Sequence, residues 1–455
     1  MAESVISRRV FPLFAWGLAF HSLIIAALYG LFRLPEGLVR QIAAWKEILL
    51  AIVLAIVCIR AVIGKSEKTQ VTWADFWILA LFLTAICYLF TANPLLNAEL
   101  PVQAQVMGVR DAVYFMLIYF VGRATPDLIE SESGARRLFM LILVTCIIGI
   151  VERIFVSPEM LVAVGVASYF QDFLGVSAFT TGNEYGLPLN YWTFIAGRPF
   201  RRAGSVYLSG QGFAVPFLLF FPIATSYVFW RAKRIPMQVF GYLIICTALL
   251  MTLTRMTIMI SVIQLVLFVV LMKRPEWAVA GISVMGLLFV AAFIMIPGFP
   301  TFIWQTLSWQ EGSSVSHMND WLRGATAFFE RPWGWGLGTA DQTAVRAGLK
   351  YITGDNLFLK YGVEMGVVGL LLLILVLHSI GQTGLTLFRS AQDESRQRMG
   401  IVLWLATVGI AINGITAVVF NSITLGWMYF WIAGSGVTAA QSLLRSRNVR
   451  ESDDA

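Results

Sequence analysis

Residues 237–272 read MQVFGYLIICTALLMTLTRMTIMISVIQLVLFVVLM, and Arg255 is the only charged residue among them. On each side of Thr254-Arg255 lies an apolar run long enough, at ~1.5 Å per helical residue, to cross most of a bilayer core of ~30 Å. Two such runs with so short a joint make a helical hairpin. A helix bonds its own backbone N–H and C=O groups, which lipid cannot do for it.

Runs of the same kind recur outward from this hairpin. They cover 10–31, 42–63, 73–91, 108–122, 138–156, 208–230, 237–253, 256–272, 277–296, 361–380, 400–420 and 423–443. Composition agrees: of 455 residues, 58% are hydrophobic and 13% charged, with a mean hydropathy of +0.76. A soluble domain carries about 25% charged residues. The chain therefore reads as all-α, a polytopic integral membrane protein of about 12 transmembrane helices. It forms one membrane domain over 1–455. The first run follows Arg8 and Arg9 without a small-residue cleavage site, so it reads as a retained span rather than a removed signal.

The net charge of +7 fits orientation better than nucleic-acid binding. With the N-terminus cytoplasmic, every cytoplasmic stretch carries Lys or Arg: Arg8/Arg9, Lys65/Lys68, Arg123/Arg136/Arg137, Arg231/Lys233/Arg234, Lys273/Arg274, Arg389/Arg396/Arg398 and Arg445/Arg447/Arg450. The positive-inside rule selects that topology, with both termini cytoplasmic and, in a bacterium, the inner membrane as the location. Cys58, Cys87, Cys146 and Cys246 lie in apolar segments and behave as small hydrophobes. No His or Cys spacing suggests a metal, and no P-loop or Gly-rich fingerprint suggests a nucleotide. No cofactor is expected.

Two long stretches, 157–207 and 297–360, then lie on the outer side. Connections of that length are more often functional than accidental. They are basic in spite of the positive-inside rule. Arg198, Arg201 and Arg202 cluster in the first, Arg255 sits at the outer hairpin tip, and Arg323, Arg331, Arg346 and Lys350 lie in the second. Arginine binds phosphate through a planar fork of donors, so Arg202, Arg255 and Arg323 are candidates for a diphosphate site. The plainer reading is lipid head-group contact or ion pairing with Glu152, Glu184 or Asp341. For Arg198 and Arg201 that plainer reading is preferred.

In the second stretch, His317 and Asp355 are candidate proton acceptors for a hydroxyl. Asp355 could instead cap the following helix. Trp321 and Trp335 are candidates to stack on sugar rings or to anchor at the membrane interface. Asn356 and Glu364, beside them at the mouth of a span, are candidate substrate contacts. Glycines 334, 336 and 338, in Pro-Trp-Gly-Trp-Gly-Leu-Gly, permit sharp bends and close packing.

These elements, in this order, resemble the O-antigen ligase/polymerase superfamily of bacterial envelope enzymes. Arg202-Ala-Gly204 before a span is similar to the family's Arg-x-Gly element, and Leu253-Thr254-Arg255 to its Ser/Thr-Arg at a hairpin tip. Pro332 through Gly338, Asp355-Asn356 and Glu364-x-Gly366-x-x-Gly369 resemble the end of its large loop and the entry to the next span. The resemblance implies a GT-C-like membrane fold. It also implies an undecaprenyl-diphosphate-linked oligosaccharide donor, a glycan acceptor, and transfer on the periplasmic side. Chain-length regulator and export proteins are its implied partners, besides membrane lipid. Where ligases carry His before the loop-end Asn, this chain has Asp355, and His317-x-x-x-Trp321 looks more like the polymerases. A polymerase is therefore favoured over a ligase. A lipid-linked oligosaccharide flippase is the rival from another class. The concentration of polar features on one side, without an internal repeat, argues against it. A non-catalytic assembly partner is a third reading. With no Asp-x-Asp pair in the chain, arginine is expected to serve where a divalent cation otherwise would.

Overall fold

The computed structural model describes residues 10–63, 70–96, 99–125, 132–176, 186–195, 198–230, 236–273 and 312–453, with isolated positions between 286 and 308. The principal helices are α1 (Phe11–Ala26), α2 (Trp45–Val62), α3 (Trp73–Leu96), α4 (Val102–Ala112), α5 (Ile118–Arg123) and α6 (Glu132–Phe155). They continue with α7 (Phe217–Phe229), α8 (Pro236–Met251), α9 (Arg255–Leu271), α10 (Gly312–Glu330), α11 (Leu357–Ser390), α12 (Glu394–Asn413) and α13 (Ile423–Asp453).

Among the described residues, seven helical segments are long and apolar enough to cross a membrane: Phe11–Leu31, Glu36–Arg60, Trp73–Thr91, Val102–Arg123, Glu132–Phe155, Gly210–Phe229 and Leu357–Ser390. The surface confirms what solvates them. Along α2, Ile48, Ile52, Ile56 and Ile59 are 55%, 53%, 46% and 57% exposed. Their spacing of three and four residues makes one outward stripe. Water would penalise such a stripe; lipid does not. The chain is a helical polytopic membrane protein.

Inside, α11 packs along α12 and α3, and α13 along α5. The α5–α13 crossing is close because Gly122 faces the Trp431 carbonyl and Gly434 the Tyr119 carbonyl, where any Cβ would overlap. Small residues serve this purpose in membrane bundles. Near this crossing, Arg123, an orientation marker by sequence, is buried. It donates to Asp75 Oδ1 at 2.9 Å, Thr438 Oγ1 at 2.8 Å and the Gln70 carbonyl at 2.9 Å, tying three helices together.

Several expectations are revised. The run 277–296 falls largely outside the described residues, as do Glu184, Arg8, Arg9, Lys65, Lys68, Arg231, Lys233, Arg234 and Arg274. The run 108–122 is split between α4, a 3-10 turn at Tyr114–Leu117 and α5. The run 400–420 is helical only to Asn413, followed by turns and a 3-10 helix at Val419–Asn421. The run 361–380 begins earlier and ends later, as a helix of 34 residues interrupted at Gly366 (φ 65°, ψ −162°). Among the described residues, the all-α expectation has one exception. In the 157–207 stretch, β1 (Trp192–Ile195) pairs antiparallel with β2 (Arg198–Arg201), Trp192 opposite Arg201. Alternating burial along Trp-Thr-Phe-Ile, a pattern of period two, is what a half-buried strand needs.

Candidate active site at one end of the bundle

On α10, His317, Asp320 and Trp321 are spaced to share one helical face. Asp320 organises it. Its Oδ2 accepts from Thr353 Oγ1, Gly354 N and Asp355 N, each at 2.9 Å, and its Oδ1 accepts from Arg323 Nη2 at 2.7 Å. The side chain is 4% exposed. This clamp fastens the 353–355 turn to α10 one helical turn from His317. Asp355 Oδ2 consequently lies 3.0 Å from His317 Nδ1. The two atoms are close without the alignment of a linear hydrogen bond, and the contact becomes an ion pair when the ring is protonated. Trp321 Nε1 reaches the Asp355 carbonyl at 3.4 Å.

The helix cap is not Asp355 but Asn356. Its Oδ1 accepts from Leu359 N at 2.9 Å, and its Nδ2 donates to the Ile415 carbonyl at 2.9 Å. Capping by the neighbour leaves the Asp355 carboxylate to His317. Both ends of the Asn356 amide are engaged by the protein itself.

Charge tunes the pair. Contact with the Asp355 carboxylate raises the His317 pKa, with Asp320 adding to the effect; burial and the positive charge of Arg255 oppose it. Burial would raise the Asp320 pKa. The N–H groups of Gly354 and Asp355, the Thr353 hydroxyl and Arg323 outweigh it and hold the carboxyl below its ordinary value.

Arg255 is the first residue of α9. The tip before it turns through Leu253 at φ 51°. Thr254 starts the helix without a side-chain cap, so the positive end of the helix dipole adds to the arginine. The Arg202-Ala-Gly stretch docks on this tip. Ala203 N donates to the Met251 carbonyl at 2.9 Å, and Thr254 Oγ1 to the Gly210 carbonyl at 3.5 Å. The Arg202 side chain lies over the same Gly210. Glu152, near the end of α6, fixes the stretch by accepting from Gly204 N at 2.9 Å. Arg201 donates to the Glu152 and Arg153 carbonyls, each at 2.9 Å, and to that of Val156, satisfying the orphan acceptors at the C-terminus of α6. Arg201 is thus structural, as its plainer reading held. Arg323 is partly committed: besides Asp320, its guanidinium lies 5.4 Å from the centre of the Tyr351 ring.

Trp335 and Glu364 belong to an adjoining buried cluster. The break at Gly366 frees helical groups of α11, and the Pro-Trp-Gly-Trp-Gly segment takes them up. Trp335 N donates to the Val363 carbonyl at 2.7 Å, Gly336 N to that of Glu364 at 3.1 Å, and Val367 N to that of Pro332 at 2.8 Å. Glu364 is fully buried, and its Oε1 accepts from Gly338 N at 3.1 Å and Ala340 N at 3.3 Å. Trp335 donates through Nε1 to the Ala327 carbonyl at 2.7 Å, with the Arg331 guanidinium 4.1 Å from its ring centre. Both therefore shape the loop end from within. Asp341 pairs with Lys360 at 2.6 Å rather than with a loop arginine, and Arg346 faces Asp111 at 3.6 Å.

Six elements widely separated in sequence thus converge at one end of the bundle: the end of α6, the Arg202 stretch, the hairpin tip, α10, the 353–355 turn and the start of α11. Residues 240–374 match the family model described as O-antigen ligase. This match supports the resemblance to the O-antigen ligase/polymerase superfamily. The O-antigen ligase region spans α8 to the first half of α11 and contains Arg255, His317, Asp320, Arg323, Asp355, Asn356 and Glu364; Arg202 lies before it. No curated protein matches the chain. The match supports a role of ligase or polymerase type in envelope polysaccharide synthesis. Asp320 was not among the residues singled out by sequence. Its signal was its place one turn after His317 and directly before Trp321.

Proposed function

We propose that the chain is a polysaccharide polymerase. It joins oligosaccharide repeats carried on undecaprenyl diphosphate, on the outer face of the bacterial inner membrane, with both termini cytoplasmic and about 12 spans in place. The observation that carries this reading is the His317–Asp355 pair, 3.0 Å apart and within electrostatic reach of Arg255. A glycosyl transfer from a diphosphate needs a base for the incoming hydroxyl and positive charge for the departing diphosphate. In the proposed reaction, His317 takes the acceptor hydroxyl proton through Nε2, since Nδ1 is against Asp355. The acceptor oxygen bonds to the anomeric carbon as the carbon–oxygen bond to diphosphate breaks. Undecaprenyl diphosphate leaves with the electron pair, and Arg255 and Arg202, with Arg323 at the rim, stabilise its charge. Asp355 stabilises the imidazolium that forms, a division of labour seen wherever a carboxylate orients a histidine base. The donor is already activated, so no nucleotide is needed. Chain-length regulator and export proteins are the expected partners.

Purified protein in nanodiscs, supplied with the lipid-linked oligosaccharide of its host, tests the reading. A product ladder spaced by one repeat, abolished in Arg255→Ala and His317→Ala, is expected. The family description itself favours a second reading, a ligase. Transfer of one glycan to added lipid A-core, with no ladder, would establish that instead. Donor left unconsumed in both formats would refute both enzyme readings and return the flippase.

A further inference from the structure

A cavity lies at the other end of the bundle. There α1 and α6 border a volume of about 390 Å³ lined by Pro12, Trp16, Ser133, Arg136, Arg137 and Met140. From Arg136 to Glu152 at the far end of α6 the helix rises about 24 Å, so the cavity and the His317 end are separated by roughly a hydrocarbon core. The size is in the range of small-ligand sites, about 300–1,000 Å³. Its lining is divided by chemistry. Ser133, Arg136 and Arg137 form one polar edge in the first turns of α6. Pro12 and Trp16, one turn apart on α1, and Met140, one turn beyond Arg136, form the apolar remainder. Trp16 is braced by a stacked contact with Phe20, ring centres 5.7 Å apart. An apolar track continues from Met140 along α6 through Ile147, Val151 and Ile154, which are 45%, 42%, 46% and 57% exposed in that order.

A phosphate group beside the arginines and an alkyl chain running from Met140 toward Ile147 would satisfy both halves. A free phosphate would leave the apolar half unused, and a zwitterionic head group would set its own cation against two guanidiniums. We propose that this cavity binds an anionic phospholipid of the leaflet at that end, its phosphate held by Arg136 and Arg137 and its acyl chain laid along Met140 and Ile147. Basic pockets between transmembrane helices recognise anionic head groups on these physical grounds. Each arginine near the head group contributes about five-fold in retention, so the pair contributes about thirty-fold.

The test uses the full chain, purified and exchanged into mixed micelles of phosphatidylglycerol and phosphatidylcholine, with retained lipid counted by native mass spectrometry. Wild type is expected to keep phosphatidylglycerol selectively. R136Q/R137Q is expected to lose about thirty-fold of that retention. M140W, which keeps both arginines but fills the apolar half, is expected to lose it too. R389Q, a basic residue at the end of α11, is expected to behave as wild type. Unchanged retention in M140W, or an equal loss in R389Q, would show general surface charge and overturn the site. So would complete displacement by inorganic phosphate, or preferential retention of added undecaprenyl phosphate. A melting temperature in phosphatidylcholine equal to wild type shows that each variant is folded, and a variant failing it is replaced by R136K/R137K, expected to retain most of the lipid.

Discussion

Replacing Asp320 by Asn probes the clamp while sparing the groups proposed to meet substrate. The carboxylate accepts four hydrogen bonds, from Thr353, Gly354, Asp355 and Arg323. A hydrogen bond to a charged group contributes about 1.5–3 kcal/mol. The amide keeps part of the pattern but turns an NH2 toward donors and removes the charge, for a net loss of about 3 kcal/mol in holding the 353–355 turn. If that turn must be held for Asp355 to serve His317, kcat/KM falls by about two orders of magnitude. The pH dependence is the sharper readout. His317 has a raised pKa because of Asp355 first, with Asp320 contributing. The neutral ring is the proposed base, so activity rises with pH through that raised value. D320N removes one charge and loosens the other, so the acid limb moves to lower pH, toward the ordinary histidine value of about 6.5. D320E restores the charge and is expected to return the limb toward wild type. The assay is the rate of repeat addition from the lipid-linked donor across roughly pH 5 to 9, which brackets the titration of a histidine. Reduced amplitude with an unmoved acid limb would show that Asp320 serves folding alone. Unchanged activity would refute the clamp altogether.

Arg255→Lys keeps the charge but not the bidentate fork, and is expected to cut kcat/KM by about 10- to 100-fold while leaving the melting temperature unchanged. Asn356→Ala removes the cap of α11 and should destabilise by about 1 kcal/mol, read as a lower melting temperature with the acid limb in place. Because His317 has a raised pKa in the fold, its contribution to stability is full below the unfolded histidine value and is lost as pH rises through the folded one. The melting-temperature deficit of His317→Gln should therefore be larger at acidic than at alkaline pH. Stripping divalent cations with chelator should leave repeat addition unaltered, since arginine is proposed to neutralise the diphosphate; strict loss, restored by adding the cation back, would refute that part of the mechanism.

The apolar runs could be read directly because the information is local. A helix in lipid bonds its own backbone, so length and composition of a run determine it, as at Phe11–Leu31 or Glu132–Phe155. The hairpin tip at Thr254-Arg255 is legible for the same reason. What failed was finer and depended on partners elsewhere. The run 400–420 stops at Asn413, where the Gly414 carbonyl accepts from Leu357 N at 2.7 Å. The cap is Asn356 rather than Asp355: its Oδ1 accepts from Leu359 N while the Ile415 carbonyl holds its amide nitrogen. Asp320 was silent and Asp341 misassigned for one reason. Each carboxylate acts on groups 33 and 19 residues away, and no periodic pattern encodes such a pairing. Glu152 does meet Arg201, at 3.6 Å, as the plainer reading of that arginine expected. Sequence alone determined that this chain lives in a bilayer, which residue types it offers for phosphate and proton chemistry, and which family order they follow. Tertiary structure decided which carboxylate stands beside His317, which arginines share a neighbourhood, and which polar residues merely hold the frame. Burial in lipid is a property of a segment, whereas a site is a set of distances between segments.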